Sequence, residues 1–260
     1  MHSDKEKSEA FIRFLNVLDT LRVKCPWDAK QTNESLRPNT IEEVFELTDA
    51  LISNDITNIR KELGDVLLHV GFYSKIAEEK NQFDIADVCN SLTDKLIFRH
   101  PHIYGDADAK SAEDVSKNWE QIKLKEKGGN HTVLSGVPSA LPALIKANRI
   151  QEKARNIGFD WEEPHQVWNK VKGEINEVEL EIKSGKKEEL EKEFGDLIFA
   201  IVNAARLYGV DPENALEKTN RKFITRFNYL EAKANEIGVS LKEMSLQEMD
   251  KYWNEAKSLE

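Results

Sequence analysis

Apolar residues recur at intervals of three and four positions along nearly the whole chain. Examples of this spacing are the stripes Phe11, Phe14, Leu15, Leu18 and Leu21; Leu63, Val66, Leu67 and Val70; and Leu197, Ile198, Ile201 and Val202. Such intervals place apolar side chains on one face of an α-helix. A sustained alternation with a period of two, which is typical of strands, is not found. The pattern therefore predicts an all-α fold with few or no strands.

Glycine and proline interrupt this helical pattern at two places. Residues 128–142 contain three glycines and two prolines, a composition that disfavours a long helix. We interpret the segment 128–142 as a linker between an N-terminal helical domain, residues 1–127, and a C-terminal helical domain, residues 143–260. Pro101 and Gly105 predict that a helix of the first domain ends near residue 100.

The two predicted domains repeat one another. The first contains Glu43, Glu46, Glu62, Gly64 and Asp65, and the same residue types stand 131 positions later as Glu174, Glu177, Glu193, Gly195 and Asp196. A basic pair repeats 127 positions apart, as Lys95 and Arg99 and then as Lys222 and Arg226. Two generic amphipathic helix pairs with acidic outer faces would not share an ungapped register, so the matches predict a tandem duplication.

The repeated acids have the spacing of a metal site. Residues three apart lie on one helix face, so Glu174 pairs with Glu177 and Glu193 pairs with Asp196. A turn at Gly185 would make the two helices antiparallel and bring the pairs together, and a turn at residues 53–55 would do the same in the first half. Carboxylates that converge in this way repel one another unless a cation neutralises them. An all-oxygen set suits Mg²⁺, with Mn²⁺ as a substitute, and Mg²⁺ commonly binds substrate phosphates.

Two other interpretations of the acids are available. They could form solvated acidic faces without a metal. They could also hold two irons, but such sites need Glu-x-x-His on two helices, and the single match, Glu162 with His165, is interrupted by Pro164. An iron oxidase is therefore disfavoured.

Composition narrows the class of protein. The chain carries 47 acids and 37 bases, a formal net charge of -10, which argues against a broad basic surface for nucleic acid. Its two cysteines form neither a disulfide framework nor a zinc pattern. The longest apolar stretches are too short to span a membrane, and the N-terminus carries no apolar signal segment. We expect a cytoplasmic protein with no nucleic-acid or membrane partner.

The ordered motifs resemble the MazG nucleotide pyrophosphohydrolases of the all-α pyrophosphatase superfamily. The residues that carry the resemblance are Glu42, Glu43 and Glu46 with Glu62 and Asp65; Cys25-Pro26-Trp27-Asp28 with Gln31-Thr32; Arg99-His100-Pro101-His102; Gly136-Val137-Pro138 with Leu141-Pro142-Ala143-Leu144; and Gly158-Phe159-Asp160-Trp161. The likeness extends from about Phe14 to Tyr229.

The resemblance implies two tandem helical bundles assembled as a homodimer. It implies hydrolysis of standard and aberrant nucleoside triphosphates between the α- and β-phosphates. It also implies that Mg²⁺ is held by the matching acids, which are the catalytic set Glu174, Glu177, Glu193 and Asp196 in the second half and Glu43, Glu46, Glu62 and Asp65, assisted by Glu42, in the first half.

Two residues of the second half depart from the family pattern. Gly173 stands where the leading acid is expected, and Glu189 stands where some members carry a lysine. The first half keeps the complete acidic motif, so the first half could carry turnover instead. Lys170 favours the second half, because its register partner in the first half is Asn39.

Four further residues are candidates for substrate binding. Lys222 and Arg226 share a helix face and could bind phosphate, although a solvated basic face would have the same spacing. Lys170 could contact phosphate or pair with Glu174. Asn203 follows Asp196 by seven residues and could touch substrate, or make a capping or core hydrogen bond.

Three aromatic residues are expected to be structural. Trp27 and Trp161 could stack on a nucleobase, but burial in a core is the commoner outcome for tryptophan. His69 lies within an apolar helix and is expected to be a hydrogen-bonded core histidine.

These observations predict a Mg²⁺-dependent hydrolase that splits nucleoside triphosphates into a monophosphate and pyrophosphate. A metal-activated water would attack on the α-phosphate side, and Glu174 or Glu177 would accept its proton. The alternative is a non-catalytic helical module that senses nucleotides or binds a partner protein.

Overall fold

The computed structural model describes residues 1–106, 132–161 and 163–259, together with Val115 and Ile122. Within these residues the regular structure is helical and no strand is present, which confirms the all-α prediction. Contacts divide the chain into two compact units, Met1–Asp108 and Ala109–Glu260. Residues 128–131 of the predicted linker and Glu162 lie outside the described residues, whereas residues 132–142 form turns. No described helix is both long enough and apolar enough to cross a membrane.

The first unit contains five α-helices among its described residues. They are α1 Asp4–Lys24, α2 Asn33–Ile52, α3 Ile56–Glu79, α4 Ile85–Arg99 and α5 Pro101–Tyr104. Asn54 reverses the chain between α2 and α3 with a φ of 52°, and the Asp55 carboxylate caps α3 by accepting from the backbone of Thr57 and Asn58. The turn predicted at residues 53–55 and the helix end predicted near residue 100 are therefore both confirmed.

The core of the first unit lies between α1, α2 and α3. Leu18, Leu36, Phe72 and Ile76 are buried there. Gly71 permits this packing, because a Cβ atom at residue 71 would lie 2.7 Å from Cζ of Phe14. The stripe that predicted a helix here lies within α3, and its members Leu63, Leu67 and Val70 are exposed. Helix α3 is apolar around much of its circumference, and α1 and α2 cover the neighbouring face.

The second unit repeats the helical hairpin of the first. Its described helices are α6 Ala143–Asn156, α7 Val167–Ser184, α8 Lys187–Leu207, α9 Pro212–Glu236 and α10 Leu246–Ser258. Gly185 joins α7 to α8 with a φ of 71°, which glycine adopts without strain, so the predicted turn is confirmed.

The two units fill the same register positions with different chemistry. Val171, Ala200 and Ala204 are buried in the second unit, and the residues 131 positions earlier are Thr40, His69 and Tyr73. In the first unit, Nδ1 of His69 lies 3.1 Å from Oγ1 of Thr40, which lies 2.6 Å from the hydroxyl of Tyr73. His69 is thus the buried, hydrogen-bonded histidine that was expected, and burial lowers its pKa.

Candidate metal-binding site

The second unit brings three predicted acids together on the α7–α8 hairpin. Glu174 and Glu177 project from α7 and Glu193 projects from α8, and one carboxylate oxygen of each lies within 4.8 Å of the others. Glu174 is only 2% exposed. Its Oε2 and the Oε2 of Glu193 are buried without a hydrogen-bond partner. Buried carboxylate oxygens need a compensating partner, which a bound cation would supply.

Electrostatics in the cluster favour a cation. Burial raises the pKa of Glu193, and the charge of Glu177 and a hydrogen bond with Glu177 raise it further. Asp196 is exposed and lies outside the group of three, but its charge also raises the pKa of Glu193. Lys170 forms an ion pair with Oε1 of Glu174, and that hydrogen bond raises the pKa of Lys170. One lysine therefore offsets only part of the negative charge.

The donor set fits a hard divalent cation. All the candidate ligand atoms are carboxylate oxygens, and Glu174 and Glu193 each have one buried oxygen without a hydrogen-bond partner. Mg²⁺ and Mn²⁺ prefer such ligands and retain water in the remaining positions.

The first unit has a related cluster on α2 and α3. Carboxylate oxygens of Glu43, Glu62 and Asp65 lie within 4.8 Å of one another, and Oε2 of Glu62 is buried without a partner. Burial raises the pKa of Glu43, and the charges of Asp65, Glu46 and Glu62 add to that effect. Glu42 is exposed on α2.

A lysine that is 61% exposed lies beside the first cluster. Nζ of Lys61 donates to Oε1 of Glu62 at 2.9 Å and is 3.6 Å from Oδ2 of Asp65 and 3.9 Å from Oε2 of Glu46. Its ammonium thus occupies space beside three of the predicted metal ligands. The hydrogen bond to Glu62 raises the pKa of Lys61, so this ammonium is charged at neutral pH.

Lys192, the register partner of Lys61, pairs with a carboxylate outside the acidic cluster. Lys192 stands 131 positions later, and its Nζ donates to Oε1 of Glu189 at 2.9 Å. Glu189, one of the two departures from the family pattern, therefore pairs with the lysine that corresponds to Lys61. The ammonium that reaches the second cluster comes instead from Lys170 on α7.

Asn203 faces a cavity rather than a helix end. Its Oδ1 accepts a hydrogen bond from Nη2 of Arg206 at 2.7 Å, and both residues line a cavity of about 820 Å³. Arg206 also donates to both oxygens of Asp160, at 2.6 and 3.0 Å. Sequence reasoning missed this pair because its members are 46 residues apart, beyond the reach of helical periodicity.

Lys222 and Arg226 share a face of α9, as their spacing predicts. Lys222 is exposed, and the guanidinium of Arg226 lies 5.5 Å from the ring of Trp253 on α10. In the first unit, Lys95 is exposed and Arg99 is half-buried near the end of α4. Phosphate binding by Lys222 and Arg226 stays a prediction.

The expectation for the two tryptophans is wrong. Trp27 is 59% exposed and Trp161 is 42% exposed. Both follow a helix end, at Lys24 and at Asn156, where the chain leaves the helical core.

The chain is similar to known proteins over nearly its whole length. A family model described as the MazG nucleotide pyrophosphohydrolase domain matches residues 31–104 and 162–230. The nucleoside triphosphate pyrophosphohydrolase/pyrophosphatase MazG of Thermotoga maritima is 43% identical, covering 97% of this chain and 98% of its own. The nucleoside triphosphate pyrophosphohydrolase of Escherichia coli K12 is 40% identical, covering 95% and 97%. The uncharacterized protein YabN of Bacillus subtilis is 45% identical over 96% of this chain, which spans 52% of YabN.

Proposed function

The chain belongs to the MazG nucleotide pyrophosphohydrolase family, and we propose that it hydrolyses nucleoside triphosphates to a monophosphate and pyrophosphate with Mg²⁺ as cofactor. The observation that carries this proposal is the cluster of Glu174, Glu177 and Glu193 with its two unpartnered buried oxygens. The cluster lies within the second family match, residues 162–230.

The proposed metal ligands are Glu174, Glu177, Glu193 and Asp196, and Mn²⁺ is a chemically reasonable substitute. When bound, a divalent ion supplies charge neutralisation at the phosphates and lowers the pKa of a bound water. The protein supplies a helical hairpin that positions the acids, which matters because phosphoryl transfer depends mainly on positioning and electrostatics.

Glu177 is the better candidate to accept the proton of the attacking water. Glu174 is buried and already paired with Lys170, whereas Glu177 is exposed. Because Glu177 also hydrogen-bonds with Glu193, a proton taken from water can be shared between the two carboxylates. Lys170, Lys222 and Arg226 are proposed to bind phosphate oxygens, and their positive charge would favour the departing pyrophosphate.

We assign turnover to the second unit. In the first unit the ammonium of Lys61 lies within 4 Å of Glu46, Glu62 and Asp65, so a metal ion would have to displace it from three carboxylates. In the second unit Lys170 forms an ion pair with Glu174 and leaves more of the cluster to a metal ion. The first cluster, including Glu42 and Glu43, is therefore proposed to bind metal less readily and to be non-catalytic. Sensing of nucleotides without hydrolysis, the alternative function, suits this unit better than the second.

A homodimer is proposed as the assembled form. Apolar side chains remain exposed on the hairpin of the second unit, among them Ile175, Leu180, Phe194 and Ile198. Exposed apolar surface of this kind is typical of a face that a partner subunit covers. Cytoplasmic location stays a prediction.

The function is tested by incubating the protein with each common nucleoside triphosphate and Mg²⁺ in ¹⁸O-labelled water. We expect a nucleoside monophosphate that carries the label and unlabelled pyrophosphate, since attack at the α-phosphorus transfers the water oxygen to that atom. Omission of the metal, with a chelator present, is the control and should stop the reaction. Release of orthophosphate, or a label in the pyrophosphate, would contradict the proposed bond cleavage.

The raised pKa of Glu193 predicts a pH-dependent response to metal. Without metal, the pKa of Glu193 in the folded protein lies above its ordinary value of 4.5. Ionisation of Glu193 therefore lowers the free energy of unfolding as the pH rises from about 4.5 past that raised pKa. We therefore expect Glu193→Gln to match the unmodified protein at about pH 4 and to be more stable at about pH 8. Mg²⁺ favours the ionised form, so adding it should reverse that order at high pH.

Thermal unfolding with and without Mg²⁺ measures this effect. Glu191→Gln is the matched control, because Glu191 is exposed on the same helix, and it should leave both curves unchanged. The prediction fails if Glu193→Gln is less stable than the unmodified protein at high pH without metal.

A further inference from the structure

The cavity of about 820 Å³ lies within the second unit, between α6 and α8. Its wall includes Ile150 and Gln151 from α6, Phe199 and Asn203 from α8, and Phe159 and Trp161 from the intervening loop. The volume is in the range of about 300–1,000 Å³ that is usual for small-molecule sites, and the lining is mainly apolar and aromatic. We propose that this cavity binds the nucleobase of the triphosphate, an assignment that rests on the proposed function.

Two side-chain amides give the cavity complementary hydrogen-bonding groups. Nε2 of Gln151 donates to the carbonyl of Phe199 at 2.9 Å, which fixes the orientation of that amide and leaves its buried Oε1 without a partner. Oδ1 of Asn203 accepts from Arg206, so the Nδ2 group of Asn203 is available as a donor. One acceptor and one donor match the edge of a nucleobase, which presents groups of both kinds.

The charge of the cavity is balanced. Arg206 is the cation of the lining, and the carboxylate of Asp160 neutralises it through two hydrogen bonds. A phosphate would have to compete with that carboxylate, whereas a neutral base would not. The rings of Phe159 and Trp161 are exposed and can stack on a planar ligand.

The cavity lies close enough to the acidic cluster for one nucleotide to place its base in the cavity and its phosphates at the acids. Phe199 and Asn203 follow Asp196 on α8 by three and seven residues. Seven residues correspond to a rise of about 10 Å, and both positions lie close to the same helix face as Asp196. The sugar and α-phosphate of a nucleotide can bridge that separation.

The first unit fills the corresponding position with a core residue. The register partner of Asn203 is Phe72, which is buried against Leu18 and Ile76. The polar lining at Asn203 is therefore specific to the second unit. This difference is independent of the lysines in the acidic clusters, and it also favours the second unit for turnover.

The test uses two amide replacements of similar size, Gln151→Met and Asn203→Leu. Kinetics are measured for the four common ribonucleoside triphosphates and for ribose 5-triphosphate, which has no base. We expect each variant to raise KM for the nucleoside triphosphates at least about tenfold, because a buried hydrogen bond to the base is lost, with kcat changed far less. The kinetics with ribose 5-triphosphate should be unchanged.

Asn148→Leu is the matched control. Asn148 lies one turn before Gln151 on α6 and has a buried amide oxygen without a partner, but it does not line the cavity. It should leave KM for every substrate unchanged. Equal KM values in the unmodified protein and in both cavity variants, with the fold intact by circular dichroism, would overturn the assignment.

A second measurement separates this assignment from the proposed function. Binding of adenosine, guanosine, cytidine and uridine is followed by quenching of tryptophan fluorescence without metal. Quenching that is lost in Trp161→Phe and weakened in Asn203→Leu supports the cavity assignment even if no triphosphate is hydrolysed. Hydrolysis by the unmodified protein without quenching by any nucleoside, and with KM unaffected by the cavity variants, supports the proposed function and rejects the cavity.

Discussion

We expect Glu193→Gln to lower the rate of pyrophosphate release by about 1,000-fold, and Glu62→Gln, its register counterpart, to lower it by less than about twofold. Glutamine keeps the size of the side chain and removes the negative charge. In the second unit that charge belongs to the cluster of Glu174, Glu177 and Glu193, in which Lys170 forms an ion pair with Glu174. In the first unit Glu62 already accepts a hydrogen bond from the ammonium of Lys61.

The measurement is steady-state hydrolysis of one triphosphate over a range of Mg²⁺ concentrations. Thermal unfolding of each variant serves as the control for folding, since both glutamates are largely enclosed. The two substitutions are the same chemical change at equivalent positions. The difference between their rates of pyrophosphate release therefore shows how much each unit contributes to hydrolysis. Abolition of turnover by Glu62→Gln, with Glu193→Gln still active, would move catalysis to the first unit.

The helices and the acidic clusters were predictable because they depend on local spacing. A three-residue interval puts Glu174 and Glu177 on one face whatever lies around them, and Gly185 marks the turn that brings Glu193 opposite. The register of 131 residues predicted four equivalent acids in each unit, but different members of the sets converge, namely Glu43, Glu62 and Asp65 in one unit and Glu174, Glu177 and Glu193 in the other. The resemblance to the family supplied the reaction, which spacing alone does not specify.

What escaped prediction depends on how helices pack. Periodicity shows that α3 has a broad apolar surface, but not which part of that surface meets α1, so the exposure of Leu63 could not be predicted. Gln151 bonds to Phe199 across 48 residues, and no local pattern reports such a contact. The partners of the lysines were also not predictable, because Lys61 and Lys192 occupy equivalent positions but donate to different carboxylates.

The pair of Arg206 and Asp160 predicts the largest loss of stability. The side chain of Arg206 is 6% exposed and that of Asp160 is 15% exposed, so both charges are largely removed from water. Arg206→Leu would leave Asp160 enclosed with Arg155, 3.8 Å away and 61% exposed, as its nearest cation. We expect a loss of about 3 kcal/mol in the free energy of unfolding, because breaking a buried pair leaves an uncompensated charge.

Chemical denaturation of the variants measures that loss. Arg155→Leu, the control, should cost less than about 1 kcal/mol, since exposed ion pairs contribute little. The double variant Arg206→Leu with Asp160→Leu should recover most of the stability, because replacing both charges by apolar side chains removes the desolvation cost. The prediction assumes that the two hydrogen bonds from Arg206 to Asp160 hold the loop of residues 157–161 against α8. Equal destabilisation by Arg206→Leu and Arg155→Leu would contradict it.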